Sequence, residues 1–207
     1  MRHEMTCVGA RIAVLTALVF VAQPALSAQS ETIPEAVARG ATGHTRTAPS
    51  GLSPKVGDIL KRTDVIVRGV IGESRSYLSD DRQNVFTDFE LKQITIVHER
   101  QMRSFAQPGL FATLSVTQLG GRITINGAEY TQIEEGLPLL VSGTECLLFL
   151  QQVGQRYHIA DTFFGAFEIS ANRLRPLTAK HDFAPEYRDV PVEQAVQDAL
   201  NRIRALQ

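Results

Sequence analysis

Apolar and polar residues alternate with a period of two over several long stretches of this chain, the pattern of half-buried strands. The first runs over Asp64–Leu78: Val65, Val67 and Ile71 share one face, Ile66 and Val70 the other, and Arg68 stands between them. Ser79-Asp80-Asp81-Arg82-Gln83-Asn84 is a turn by composition. In Val85–Glu99, Thr87, Phe89 and Leu91 alternate with Asp88 and Glu90, and then Ile94 and Ile96 resume in the opposite phase. That odd step predicts a β-bulge near Lys92-Gln93, which restores the inward face and bends the strand. Leu110–Leu119 predicts a third strand, ended by Gly120-Gly121. In Arg122–Ile133, Asn126-Gly127 lies between alternating segments. Asn-Gly supplies the two positive φ values of a type I′ hairpin turn.

The stretch Leu137–Gln151 is the longest apolar segment outside the N-terminus, split by Ser142-Gly143-Thr144. Its second run, Cys146–Leu150, is apolar at every position. This reads as a central strand covered on both faces. Gln152–Gln155 forms the next turn, and Arg156–Ala160 and Phe163–Ile169 read as closing strands, broken near Asp161-Thr162.

Helical spacing is found at the ends. Thr32 and Glu35 make a capping box ahead of a short helix that Gly40 ends. Ser53-Pro54 reads as a helix start, followed by Val56, Ile59 and Leu60. Near the C-terminus, Val192, Ala195, Val196, Ala199, Leu200, Ile203 and Leu206 line one helix face, with Asp189 as the expected cap. That face is expected to cover the outer side of the central strand; the competing use is to bind a partner protein. The expected fold is mainly β: a small antiparallel barrel with a C-terminal amphipathic helix. Long, bulged strands are how small barrels close.

The N-terminus adds a targeting reading. Ile12–Ala22 is apolar, flanked by Arg2 and Arg11, and followed by Pro24 and the small residues Ala25-Leu26-Ser27-Ala28. Residues 1–28 read as a signal peptide, with an uncleaved anchor as the alternative. Residues 29–52 are expected as flexible linker, 53–179 as the β domain with its short leading helix, and 180–207 as connector and C-terminal helix. The expected location is periplasmic or secreted, with no membrane span after cleavage.

Composition narrows the chemistry. The 207 residues carry a formal net charge of -1, so the electrostatic term that dominates nucleic-acid binding is missing and no nucleic-acid partner is expected. Of two cysteines, Cys7 lies in the targeting segment and Cys146 in the central strand, where a free thiol acts as a small hydrophobe. Nucleophile-elbow, zincin, Cys-x-x-Cys and P-loop patterns are absent, and no cofactor or metal is implied.

His44, His98, His158 and His181 show no ligand spacing, and His158 and Asp161 point apart on a strand. Asp80, Asp81, Asn84 and Asp88 read as a polar turn and an outward strand position rather than a calcium loop. Glu134-Glu135 reads as a solvated loop. Phe163, Phe164 and Phe167 read as core, flanked by acids.

The segments VIVRGVIGESRSY (Val65–Tyr77), VFTDFEL (Val85–Leu91), SVTQLGG (Ser115–Gly121), SGTECLLFLQ (Ser142–Gln151) and FFGAFEI (Phe163–Ile169) follow one another in an order that resembles a module of exported bacterial proteins. Its layout is similar to the OB-like barrel of netrin-like domains. The resemblance covers roughly Val65–Ile169; Phe86 stands where the module often has Tyr, and Cys146 where it often has a bulkier residue. It implies a fold and an exported location, and transfers no catalytic residue. Metalloproteinase inhibitors with this barrel act through an N-terminal cysteine, which the expected mature terminus near Ala28 or Gln29 lacks.

The function expected is an exported non-catalytic binding or interaction module whose partner is an exported or envelope protein. The alternatives are an exported metal-assisted hydrolase whose ligands converge only in three dimensions, and an oligosaccharide- or nucleic-acid-binding barrel. The weak ligand-binding candidates are Tyr77, Tyr130 and Phe163.

Overall fold

Among the described residues, ten strands, β1 (Gly43–Arg46), β2 (Val65–Leu78), β3 (Val85–Glu99), β4 (Leu114–Leu119), β5 (Gly121–Ile125), β6 (Ala128–Glu134), β7 (Glu145–Val153), β8 (Arg156–Ile159), β9 (Ala166–Ser170) and β10 (Arg173–Pro176), carry the fold. Helices α1 (Ile33–Ala38), α2 (Val56–Arg62) and α3 (Val192–Ala205) pack on them. The structure, a computed structural model, describes residues 31–47, 55–100, 114–160, 164–178 and 185–206. The signal-peptide reading of residues 1–28 lies outside them.

The larger sheet has the order β10-β9-β7-β2-β3-β4-β8, and β8 pairs back onto β7. Five strands therefore close a ring: β7 to β2, β2 to β3 and β3 to β4 antiparallel, β4 to β8 parallel, β8 to β7 antiparallel. The fold is mainly β with a ring-like sheet and a C-terminal helix, as the alternation predicts.

The bulge is where the phase slip puts it. Arg68 pairs with Thr95 and Val70 with Lys92, so β3 has one residue too many there, and Gln93 absorbs it at φ 52°. The Asn126-Gly127 turn has φ values of 51° and 85°, which are those of the expected hairpin.

β7 sorts its side chains to two cores. Cys146, Leu148 and Leu150 fill the ring with Val67, Phe89 and Val116. Leu147 and Phe149 face outward into a second core with Ile59, Leu60, Ala195, Ala199 and Ile203, from α2 and α3. Val192, Ala195, Ala199 and Ile203 of α3 are thus buried within the chain, while Val196 and Leu200 are half-buried and Leu206 is exposed. The Cys146 thiol is pushed up to about 12 by burial first, then by Glu168 and Glu145. That is far from the depressed value of a reactive thiolate.

Several expectations shift. Of the stretch expected as linker, residues 31–47 hold α1 and β1. The capping box is present, with the Thr32 N–H donating to Glu35 Oε2 at 2.9 Å. β1, however, pairs in parallel with β6, forming a second sheet in the order β1-β6-β5. Ile33 and Val37 bury against Val85 and Tyr130 in a third core. Alanine- and threonine-rich sequence reads as linker because its few apolar residues find partners only in distant strands.

α2 starts at Val56, with Lys55 at its cap position; Ser53 and Pro54 lie outside the described residues. Pro191, not Asp189, precedes α3. Leu137–Val141 is not strand, although Leu137 and Leu140 are buried. β10 was not expected; it pairs with β9 through a turn at Ala171-Asn172, both at positive φ.

Candidate functional site

The outer face of the ring divides in two. Around β7 and the first half of β2 it is covered by the helices. Across the second half of β2, β3, β4 and β8 the side chains contact one another. Alternation decides which they are: Thr87 and Phe89 are buried inward, so Phe86 and Asp88 face out.

Register then aligns residues far apart in sequence. Arg75 pairs with Asp88, Asp88 with Thr117, Thr117 with His158 and His158 with Gln151, one row across five strands. The neighbouring row holds Tyr77, Phe86 and Leu119.

Asp88 is the hub. The Tyr77 hydroxyl donates to its Oδ1 at 3.1 Å, and the Thr117 hydroxyl donates to the same oxygen at 2.6 Å. Arg156 reaches over from β8, with Nη1 3.9 Å from Asp88 Oδ2 and the guanidinium carbon 4.8 Å from the centre of the Tyr77 ring. The Phe86 ring lies 6.2 Å from Tyr77 and meets His158 edge-on at 6.4 Å. Thr117 is buried beneath these groups, whereas the Arg156 side chain is 54% exposed.

Burial, then the Arg156 charge, holds His158 below its ordinary pKa, and Asp88 offsets part of this. His98 is shifted the same way, by burial first and then Arg100. Its Nε2 has no hydrogen-bond partner among the described residues. An unfolded histidine titrates near pH ~6.5. With both native values lower, the unfolded chain binds more protons below that pH, so stability falls as pH drops through this window. Urea midpoints at about pH 7.5 and about pH 5.5 should fall less in the His98→Gln/His158→Gln double variant than in the parent. Equal falls would refute the assignment.

Of the sequence candidates, Tyr77 belongs to this cluster. Tyr130 does not: it is 3% exposed in the third core, and its hydroxyl is hydrogen-bonded to His44 Nδ1. Phe163 lies outside the described residues. Phe167 is buried and Phe164 packs partly against the second core, as core residues should.

Glu134 is not in a solvated loop. It ends β6, buried, accepting from Gln132 Nε2 at 2.9 Å with Arg46 3.7 Å away. Asp81 is a turn residue, its carboxyl held low first by the Ser79 hydroxyl and then by the Gln83 N–H. His181 and Asp161 lie outside the described residues. Among the described residues, no three His, Cys, Asp or Glu side chains are grouped to hold a metal ion.

Sequence reasoning missed Thr117 and Arg156, named Phe86 only within the resemblance, and weighed Asp88 with Asp80, Asp81 and Asn84 and His158 with Asp161 rather than with each other. Outward phase was the available signal, but it does not tell which strands lie side by side. No family model, curated protein or solved structure matches the chain.

Proposed function

We propose that the chain is an exported, non-catalytic binding module that recognises its ligand on the outer face of β2, β3, β4 and β8. One observation supports this reading: aromatic, cationic and acidic side chains from four strands converge where, among the described residues, no helix covers the ring. A sheet face needed only for folding is served by scattered polar residues. Here rings lie partly exposed beside a carboxylate and a guanidinium, the mixture of apolar body and placed polar groups that binding surfaces use.

The test is retention of solubilised cell-envelope material on the immobilised full-length chain. The Tyr77→Ala/Phe86→Ala variant should lose the retained species, and Ile133→Ser, exposed on the other sheet, should keep it. Equal retention by all three would reject this face. Turnover of a hydrolase substrate, abolished by Asp88→Asn, would reject the non-catalytic reading.

A further inference from the structure

We infer that the outer-face cluster is a site for a carboxylated saccharide, with Arg156 taking the carboxylate and Phe86 the apolar face of the sugar ring. This rests on the binding-module reading and gives it a ligand class.

The geometry at Arg156 carries the argument. Its guanidinium carbon lies over the Tyr77 ring, 4.8 Å from the centroid, while the nearest carboxylate oxygen, on Asp88, is 3.9 Å away. That is an ion pair without a close hydrogen bond. Asp88 is engaged instead through Oδ1 by the Tyr77 and Thr117 hydroxyls. The fork of Arg156 therefore makes no hydrogen bond among the described residues, and its donors remain available. A guanidinium beside an aromatic face, with its donors available, suits bidentate capture of a planar carboxylate.

The neighbours select what bears that carboxylate. Phe86, half-buried, offers an apolar surface between Tyr77 and His158. Asp88 Oδ2 accepts, and a neutral imidazole at His158 offers one donor and one acceptor. A sugar hydroxyl both gives and takes a hydrogen bond, so this mixture matches a ring edged with hydroxyls.

Two other ligand classes fit less well. A peptide added as a strand needs an open edge, and at the cluster Phe86–Leu91 of β3, Val116-Thr117 of β4 and Tyr157-His158 of β8 are paired on both sides. A nucleic-acid strand needs a cationic track, and here Asp88 and Glu90 alternate along β3 in a chain of net charge -1.

The test is calorimetric titration of the full-length chain with tetragalacturonate and with its carboxyl-reduced neutral counterpart. Tetragalacturonate should bind, and the neutral form should bind about tenfold or more weakly, the scale of a charge-assisted hydrogen bond. Arg156→Gln should cost a similar factor. Arg156→Lys should not restore binding, because a point charge lacks the fork. Phe86→Ala should weaken both saccharides, with thermal melting used to confirm that each variant is folded.

Equal binding of both forms, unaffected by Arg156→Gln but lost in Phe86→Ala, would overturn the carboxylate assignment and leave the binding face standing. Tighter binding of a single-stranded oligothymidylate than of tetragalacturonate would overturn the ligand class. No heat with any of these probes would overturn it too. Only unchanged envelope retention by Tyr77→Ala/Phe86→Ala would remove the face itself.

Discussion

Replacing Phe149 by alanine should destabilise the chain by about 4 kcal/mol, the usual cost of emptying a large aromatic site in a closed core. Phe149 is 1% exposed on the outer side of β7. Its ring meets Phe167 edge-on, with centroids 5.8 Å apart, and lies 6.3 Å from Tyr187. These three rings pack together in the core shared by β7, β9 and α3. Tyr187 is itself anchored: its hydroxyl donates to Asp198 on α3 at 2.9 Å, which in turn accepts from Arg202 at 2.8 Å.

For a unit of this size the thermal midpoint should fall by roughly 8–16 °C. The comparison is Leu148→Ala, which empties the ring interior on the opposite side of the same strand. If Phe149→Ala costs under about 1 kcal/mol by urea denaturation while Leu148→Ala costs the usual 2–5 kcal/mol, the outer core is not the tight layer described above.

The second large effect is expected at Gly121, where β4 leaves the ring and β5 begins the smaller sheet. Gly121 has φ 145°, outside the range that side chains tolerate. A Cβ there would fall on Thr87 Oγ1 and 2.7 Å from Ser76 Oγ. Those two hydroxyls are not free to yield. They are 2.9 Å from each other, and Thr87 also donates to the Gly120 carbonyl at 2.7 Å.

Gly121→Ala should therefore cost about 3 kcal/mol, from backbone strain and overpacking together. Gly127→Ala is the internal control. Its φ of 85° carries the conformational cost, but nothing lies within 4 Å of the added carbon. Urea denaturation of both variants checks this. Equal losses would show that the close approach at Gly121 adds nothing.

These two positions differ in how far sequence reaches. The double coverage of β7 is written in Cys146–Leu150, apolar on both phases, and the apolar face of α3 says what covers one of them. Gly120-Gly121 marks a break in sequence, but the close contact with Thr87, thirty-odd residues earlier, depends on how β3 and β5 meet.

The candidate site was less legible still. Asp88 looked like any outward strand residue, and Arg156 like the start of a closing strand. They come together only because β4 pairs in parallel with β8, bringing His158 opposite Thr117. Tyr130 was equally ambiguous: an aromatic beside a hairpin reads as surface until β1 lays His44 against it.

The sequence by itself determined what is local and periodic. It set the extent of β2 and β3, the bulge that Gln93 absorbs, the Asn126-Gly127 turn, the capping box at Thr32 and the buried stripe of α3. Each of these follows from spacing or backbone preference within a few residues, where steric and burial rules act directly. Tertiary structure alone decided the closure of the ring, the recruitment of residues 31–47 to the second sheet, the burial of Glu134 and the meeting of Asp88 with Arg156. The physical reason is common to all four. A strand's alternation says which side chains share a face, but not which distant strand will supply their neighbours. That choice is made by the packing of the whole sheet.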